Sequence, residues 1–109
     1  MTLKRVVVDS SGWIELFTGG GQAEHFLALM ADERSLVVPA ITIFEVFQWV
    51  LREHGEAQAI QAVAVMQGAQ VVDPDSIILA TARDQQARLH TMDSDFRGIA
   101  DVVWVDSIP

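Results

Sequence analysis

The sequence contains no cysteine. That absence excludes disulfide staples, thiolate zinc sites and a cysteine nucleophile together. It is compatible with a reducing cytoplasm, the expected location. No apolar stretch approaches the roughly 20 residues needed to span a bilayer. The run Val6-Val7-Val8 stops at Asp9 and is too short for a signal-peptide core. Positive charge is scarce: Lys and Arg total 7 against 15 Asp and Glu, a formal net charge of −8, and Lys4 is the single lysine. There is no basic stripe of the kind that releases counterions from phosphate. Contact with RNA or DNA must then run through metal ions and a few scattered arginines. Internal repeats, low-complexity tracts and interdomain linkers are also missing.

What is present suffices for one domain. The chain has 109 residues, half of them hydrophobic, which fits a single core over residues 1–109. Val6-Val7-Val8, closed by Asp9-Ser10-Ser11-Gly12, reads as a strand buried on both faces. Gln22 to Ala31 repeats apolar residues at helical spacing. Ser35 to Val38 reads as a second strand, stopped by Pro39. Helical periodicity returns over Thr42 to His54, with Gly55 placed to cap it, and again over Glu56 to Gln67. Gln70 to Val72 is a short strand, Ser76 to Gln86 a helix, and Arg88 to Thr91 and Val102 to Val105 the last two strands. Gly19-Gly20-Gly21 follows no strand and reads as a turn, not a phosphate loop. Strands alternating with helices predict an α/β fold with a short parallel sheet of four to five strands flanked by helices.

Ligands of such sheets sit outside the carboxyl ends of the strands. Four acids fall there. Asp9 directly follows the first strand. Glu45 sits in the first turn of the helix after the second, and Asp75 starts the helix after the third. Asp93 follows the fourth, with Asp95 as a further acid. Gathered carboxylates repel one another unless a cation joins them. Oxygen donors without Cys or His suit Mg²⁺ or Mn²⁺, and such a cluster is competent for phosphodiester hydrolysis. Each acid also has a plainer use. Thr42-x-x-Glu45 is a capping box, Asp75 caps its own helix, and Asp9 and Asp93 are turn residues. Capping explains acids at helix starts, but not the additional acids at the ends of two buried strands. Ser10, Ser11 and Thr91 read equally as supports for the carboxylates and as turn residues. Trp13, Trp49 and Trp104 read as core or interface. His25, His54 and His90 show no pairing. Arg83, Arg88 and Arg97 are candidates for phosphate but read first as solvated surface.

These residues form a known pattern. Val-Val-Val-Asp-Ser-Ser-Gly-Trp-Ile (6–14) resembles the opening of a PIN domain, and Pro39-Ala-Ile-Thr-Ile-Phe-Glu45 its second acidic motif. Asp75-Ser-Ile-Ile-Leu-Ala-Thr-Ala resembles the third, and Leu89-His-Thr-Met-Asp93-Ser-Asp95-Phe the fourth. The four stand in order over nearly the whole chain, most like the VapC-type toxins of type II toxin–antitoxin modules. The resemblance implies a PIN-like three-layer fold and a Mg²⁺- or Mn²⁺-dependent endoribonuclease. Its metal carboxylates would be Asp9, Glu45, Asp75 and Asp93, with Asp95 a fifth and Ser10 and Thr91 in support. It also implies an RNA substrate, a cognate antitoxin that reaches a basic side chain into the acidic site, and a homodimer.

The chain departs from that family in one place. Members carry another helix before the third acidic motif, whereas here Val71-Val72-Asp73 meets Asp75 across one proline. An extended residue covers only about 3.5 Å, so a third strand at the sheet's rim strains the approach of Asp75. Displacement of that strand, a shifted helix or exchange of elements between subunits would relieve it, and the missing helix should bare apolar surface. The shortening leaves a second reading, a catalytically impaired module that binds an antitoxin or regulates. A phosphotransfer receiver is disfavoured, since it needs a lysine after a late strand.

Overall fold

The computed structural model describes residues 5–32, 34–73 and 78–108. Five strands, β1 (Arg5–Val8), β2 (Leu36–Pro39), β3 (Gln70–Val72), β4 (Ala87–Thr91) and β5 (Val102–Trp104), form one sheet in the order β3-β2-β1-β4-β5. Every neighbouring pair is parallel. Between the strands run α1 (Ser10–Phe17), α2 (Ala23–Met30), α3 (Ala40–His54), α4 (Glu56–Met66) and α5 (Ile78–Asp84).

Alternation along the strands divides the core in two. Val8, Leu36 and Val38 face one way and meet Trp13, Phe26, Val46, Val50, Ala59 and Met66 of α1 to α4. Val7, Val37 and Leu89 face the other way and meet Ala82, with Ile78 and Leu79 of α5 packed beside them. The result is the expected three-layer α/β architecture. Val7, Val8, Val37 and Val38 are fully buried, because both faces of the central strands are covered. That is why the sequence reads there as unbroken valine.

One helix goes beyond the sequence reading. Ser10 and Ser11 read equally as turn residues and residues 13–17 carry no assigned element, yet Ser10–Phe17 form a helix. Gly12 hides it, since glycine lowers helix propensity. A Cβ at Gly12 would lie 2.5 Å from Cε1 of Phe26 and 2.6 Å from Cγ1 of Val8. Only glycine lets α1 settle this closely between β1 and α2. β3 stands at the rim and keeps three registered pairs with β2, from Val37–Gln70 to Pro39–Val72. Val72 packs into the same cluster as Ile78 and Leu79 of α5. Among the described residues the large exposed apolar side chains include Val71 of β3 itself, together with Ile41, Phe44 and Ile60 on α3 and α4. No described helix is long and apolar enough to cross a membrane.

Candidate functional site

The site begins where β1 and β4 end side by side. Val8 pairs with His90, which sets Asp9 opposite Thr91. Asp9 has extended backbone and occupies the N-cap position of α1, but its side chain makes no capping bond. It turns sideways instead. Its Oδ2 accepts from the Thr91 hydroxyl at 2.8 Å and from the Ser11 hydroxyl at 3.3 Å. Thr91 is fully buried, and its Oγ1 also accepts the Asp93 N–H at 3.0 Å. Ser11 Oγ in turn accepts the Met92 N–H at 3.0 Å. Two hydroxyls thus tie the end of β1 to the loop after β4. Ser11 and Thr91 are supporting residues by contact, whereas Ser10 makes no side-chain hydrogen bond there among the described residues.

Asp93 caps the single 3-10 turn Ser94–Phe96, its Oδ1 accepting the Asp95 N–H at 3.0 Å. The plainer reading of Asp93 as a turn residue therefore holds together with its place at the strand's end, because one oxygen caps and the other stays available. Asp95 lies exposed inside that turn.

Glu45 needs a correction. Helix α3 starts at Ala40 after Pro39, so Thr42 is not an N-cap and no capping box forms. Glu45 lies in the second turn, beyond the strongest influence of the helix dipole. The residue is largely exposed, yet partial burial of its carboxylate and then the charge of Asp9 raise its pKa. Asp9 and Glu45 are thus close enough to repel. Native Glu45 keeps its proton to a higher pH than the unfolded chain does. Its ionisation weakens the fold as pH rises through that interval.

Thr42 is fully buried and its hydroxyl has no partner among the described residues. An isolated buried hydroxyl is unfavourable. Thr42→Val keeps the shape and removes it. Urea denaturation should show the variant more stable by about 1 kcal/mol.

Asp75 lies outside the described residues. Among those described, no three His, Asp or Glu side chains are grouped closely enough to hold one ion. The donor chemistry still fits a hard divalent cation. Asp9, Glu45 and Asp93 offer oxygen only, and Asp9 and Glu45 carry a mutual repulsion that a cation would relieve.

The histidines were expected to be unpaired, yet His25 and His90 meet across 65 residues of sequence, Nε2 to Nδ1 at 3.1 Å. Burial, then His25 and Arg88 beside it, pushes His90 down to about 4. It is neutral near pH 7, and the contact bonds α2 to β4.

Beside the acidic edge an apolar groove of about 450 Å³ runs between α3 and α4, lined by Ala40, Ile43, Phe44, Phe47, Ile60 and Val63 among others.

Solved structures share this fold. A chain from a toxin–antitoxin complex of Klebsiella pneumoniae matches with a TM-score of 0.72 and 27% identity, over 94% of this chain and 99% of that one. VapC20 of Mycobacterium tuberculosis, a sarcin–ricin loop cleaving toxin, matches with a TM-score of 0.67 and 16% identity, over 95% and 99%. No family model and no curated protein matches the sequence.

Proposed function

The chain has the fold of the VapC-type toxins, and on that premise we propose that it is a metal-dependent endoribonuclease, the toxin of a toxin–antitoxin pair. The observation that carries this reading is the Asp9 carboxylate. It is held by Thr91 and Ser11 at the carboxyl edge of the sheet, near a Glu45 whose pKa is raised by burial and then by the Asp9 charge. Two like charges brought together at the ligand edge are a cost to the fold that a bound cation offsets.

The metal carboxylates proposed from sequence are Asp9, Glu45, Asp75 and Asp93, with Asp95 a fifth. Asp9 and Glu45 are the described pair whose charges meet, and Asp93 would have to be drawn towards them on binding. When bound, Mg²⁺ or Mn²⁺ supplies Lewis acidity for hydrolysis of an RNA phosphodiester. The protein's own part is positional. Thr91 and Ser11 fix the direction of Asp9, and the Thr91 hydroxyl fixes the main chain at Asp93. Glu45 holds its proton to a higher pH than an ordinary glutamate does. Attack on the phosphodiester would come from water, with no covalent enzyme intermediate.

The antitoxin follows from the same reading. The Klebsiella match comes from a toxin–antitoxin complex, and the groove between α3 and α4 offers an apolar seat for a partner segment. A basic side chain on that segment would reach the acids. A homodimer belongs to the same proposal.

The test is cleavage of single-stranded RNA by the purified protein. Activity should stop on adding a chelator and return with excess Mn²⁺. Metal binding without cleavage would favour the impaired antitoxin-binding module instead.

A further inference from the structure

An acidic nuclease must still hold a polyanion, and the placement of its cations decides how. Arg5 opens β1 and donates to the Gln85 and Gln70 side chains. Arg88 is the second residue of β4 and pairs with Val6. Arg34 stands just before β2. Arg83, in the last turn of α5, donates to the Ala100 carbonyl on the approach to β5. Arg52, near the end of α3, pairs with Glu53. In a parallel sheet with returning helices, all these positions belong to the amino edge or to helix ends that face it. Among the described cations, Arg97 is the one at the carboxyl edge with the acids.

Its seat is specific. Trp104 ends β5 and pairs with Thr91. Asp9, Thr91 and Trp104 therefore form a row across three adjacent strands on one face of the sheet. The Arg97 guanidinium lies over the Trp104 ring, 4.7 Å from its centroid. Gly98 follows at φ 83, a conformation that turns the chain sharply after Arg97. Arg97 is exposed, and its side chain forms no hydrogen bond or ion pair among the described residues. Its N–H donors are unspent, and a planar fork of such donors matches phosphate. A guanidinium already placed by an aromatic ring loses less freedom on binding than a free one.

We infer that Arg97, seated on Trp104, holds a backbone phosphate of the RNA beside the carboxylate edge. The ligand class rests on the ribonuclease reading; the seat rests on geometry alone. The residue supplies positive charge where the net −8 chain would otherwise repel its substrate.

A fluorescent single-stranded RNA oligonucleotide of mixed sequence serves as the probe. Binding is measured against salt in an Asp9→Asn background, and cleavage in the native background. Arg97→Gln should weaken binding about tenfold. It should also flatten the slope of log affinity against log salt by about 0.7, one phosphate contact on a single strand. In cleavage, KM should rise and kcat stay nearly constant. Arg97→Lys should restore the slope with part of the affinity. Trp104→Leu should reproduce part of the loss, with far-UV circular dichroism confirming the fold. Unchanged affinity and slope in Arg97→Gln would overturn the inference. The two proposals fail separately. Cleavage that ignores Arg97 removes this inference alone. Binding that depends on Arg97, without cleavage, removes the nuclease reading and supports the phosphate seat. An absence of RNA binding contradicts both.

Discussion

If the chain is the ribonuclease proposed, Asp9→Asn should remove RNA cleavage and leave the protein folded. The rate should fall by at least about 100-fold, because even the partners that orient a metal ligand are worth about 10- to 100-fold each. Folding should survive for two reasons. Asparagine has the same shape. Its carbonyl oxygen can still accept from Thr91 and Ser11, which now donate to Asp9 Oδ2. Burial still raises the Glu45 pKa in the variant, but the smaller contribution from the Asp9 charge is gone. The thermal midpoint without metal should therefore hold steady or rise. A variant that loses activity and keeps its midpoint identifies a residue of the chemistry. One that loses both would make Asp9 a structural residue.

Trp13→Ala has the opposite profile and should cost about 3–5 kcal/mol of stability, the usual range for a fully buried tryptophan. Trp13 is 1% exposed and lies in the core that joins β1 to α1, α2 and α3. Its ring stacks on Phe17 with centroids 5.7 Å apart. A domain of this size has about 5–15 kcal/mol in total, so the variant approaches unfolding. It also loosens α1, which begins at the residue after Asp9 and carries Ser11. Trp13→Phe should cost much less, because it retains an aromatic ring and deletes an indole N–H that has no partner among the described residues. Denaturant unfolding of the two variants checks both expectations.

The strands were legible because they are buried on both faces. Unbroken apolar runs at residues 6–8 and 36–38, each stopped at once by an aspartate or a proline, are the mark of a parallel strand covered by helices on either side. Their parallel order followed from the helices between them, and the strand ends then put Asp9 after β1 and Asp93 after β4 without coordinates, whereas Glu45 lies one turn further along α3 than expected. Helix α1 was not legible. Its glycine suggests a turn, and the reason for that glycine is a contact with Phe26 of α2, which no local pattern encodes. The apolar spacing of Trp13, Ile14 and Phe17 was the signal available. The start of α3 was misplaced by two residues because Thr42-x-x-Glu45 imitates a cap, whereas Pro39 supplies the backbone shape that starts the helix. Contacts between distant segments stayed invisible. His25 with His90, Thr91 with Asp9, and Arg97 with Trp104 each depend on register. The sequence suggested Arg97 only as one of three arginines, and its position at the edge distinguishes it.

The central claim is that the carboxyl edge of this sheet binds a divalent cation through Asp9. Calorimetric titration of Mn²⁺ into the metal-free protein and into Asp9→Asn tests it most directly. The account predicts saturable binding to the native protein, and at least tenfold weaker binding to the variant, as expected when a direct ligand is lost. Equal binding to the two proteins, or none to either, would contradict it.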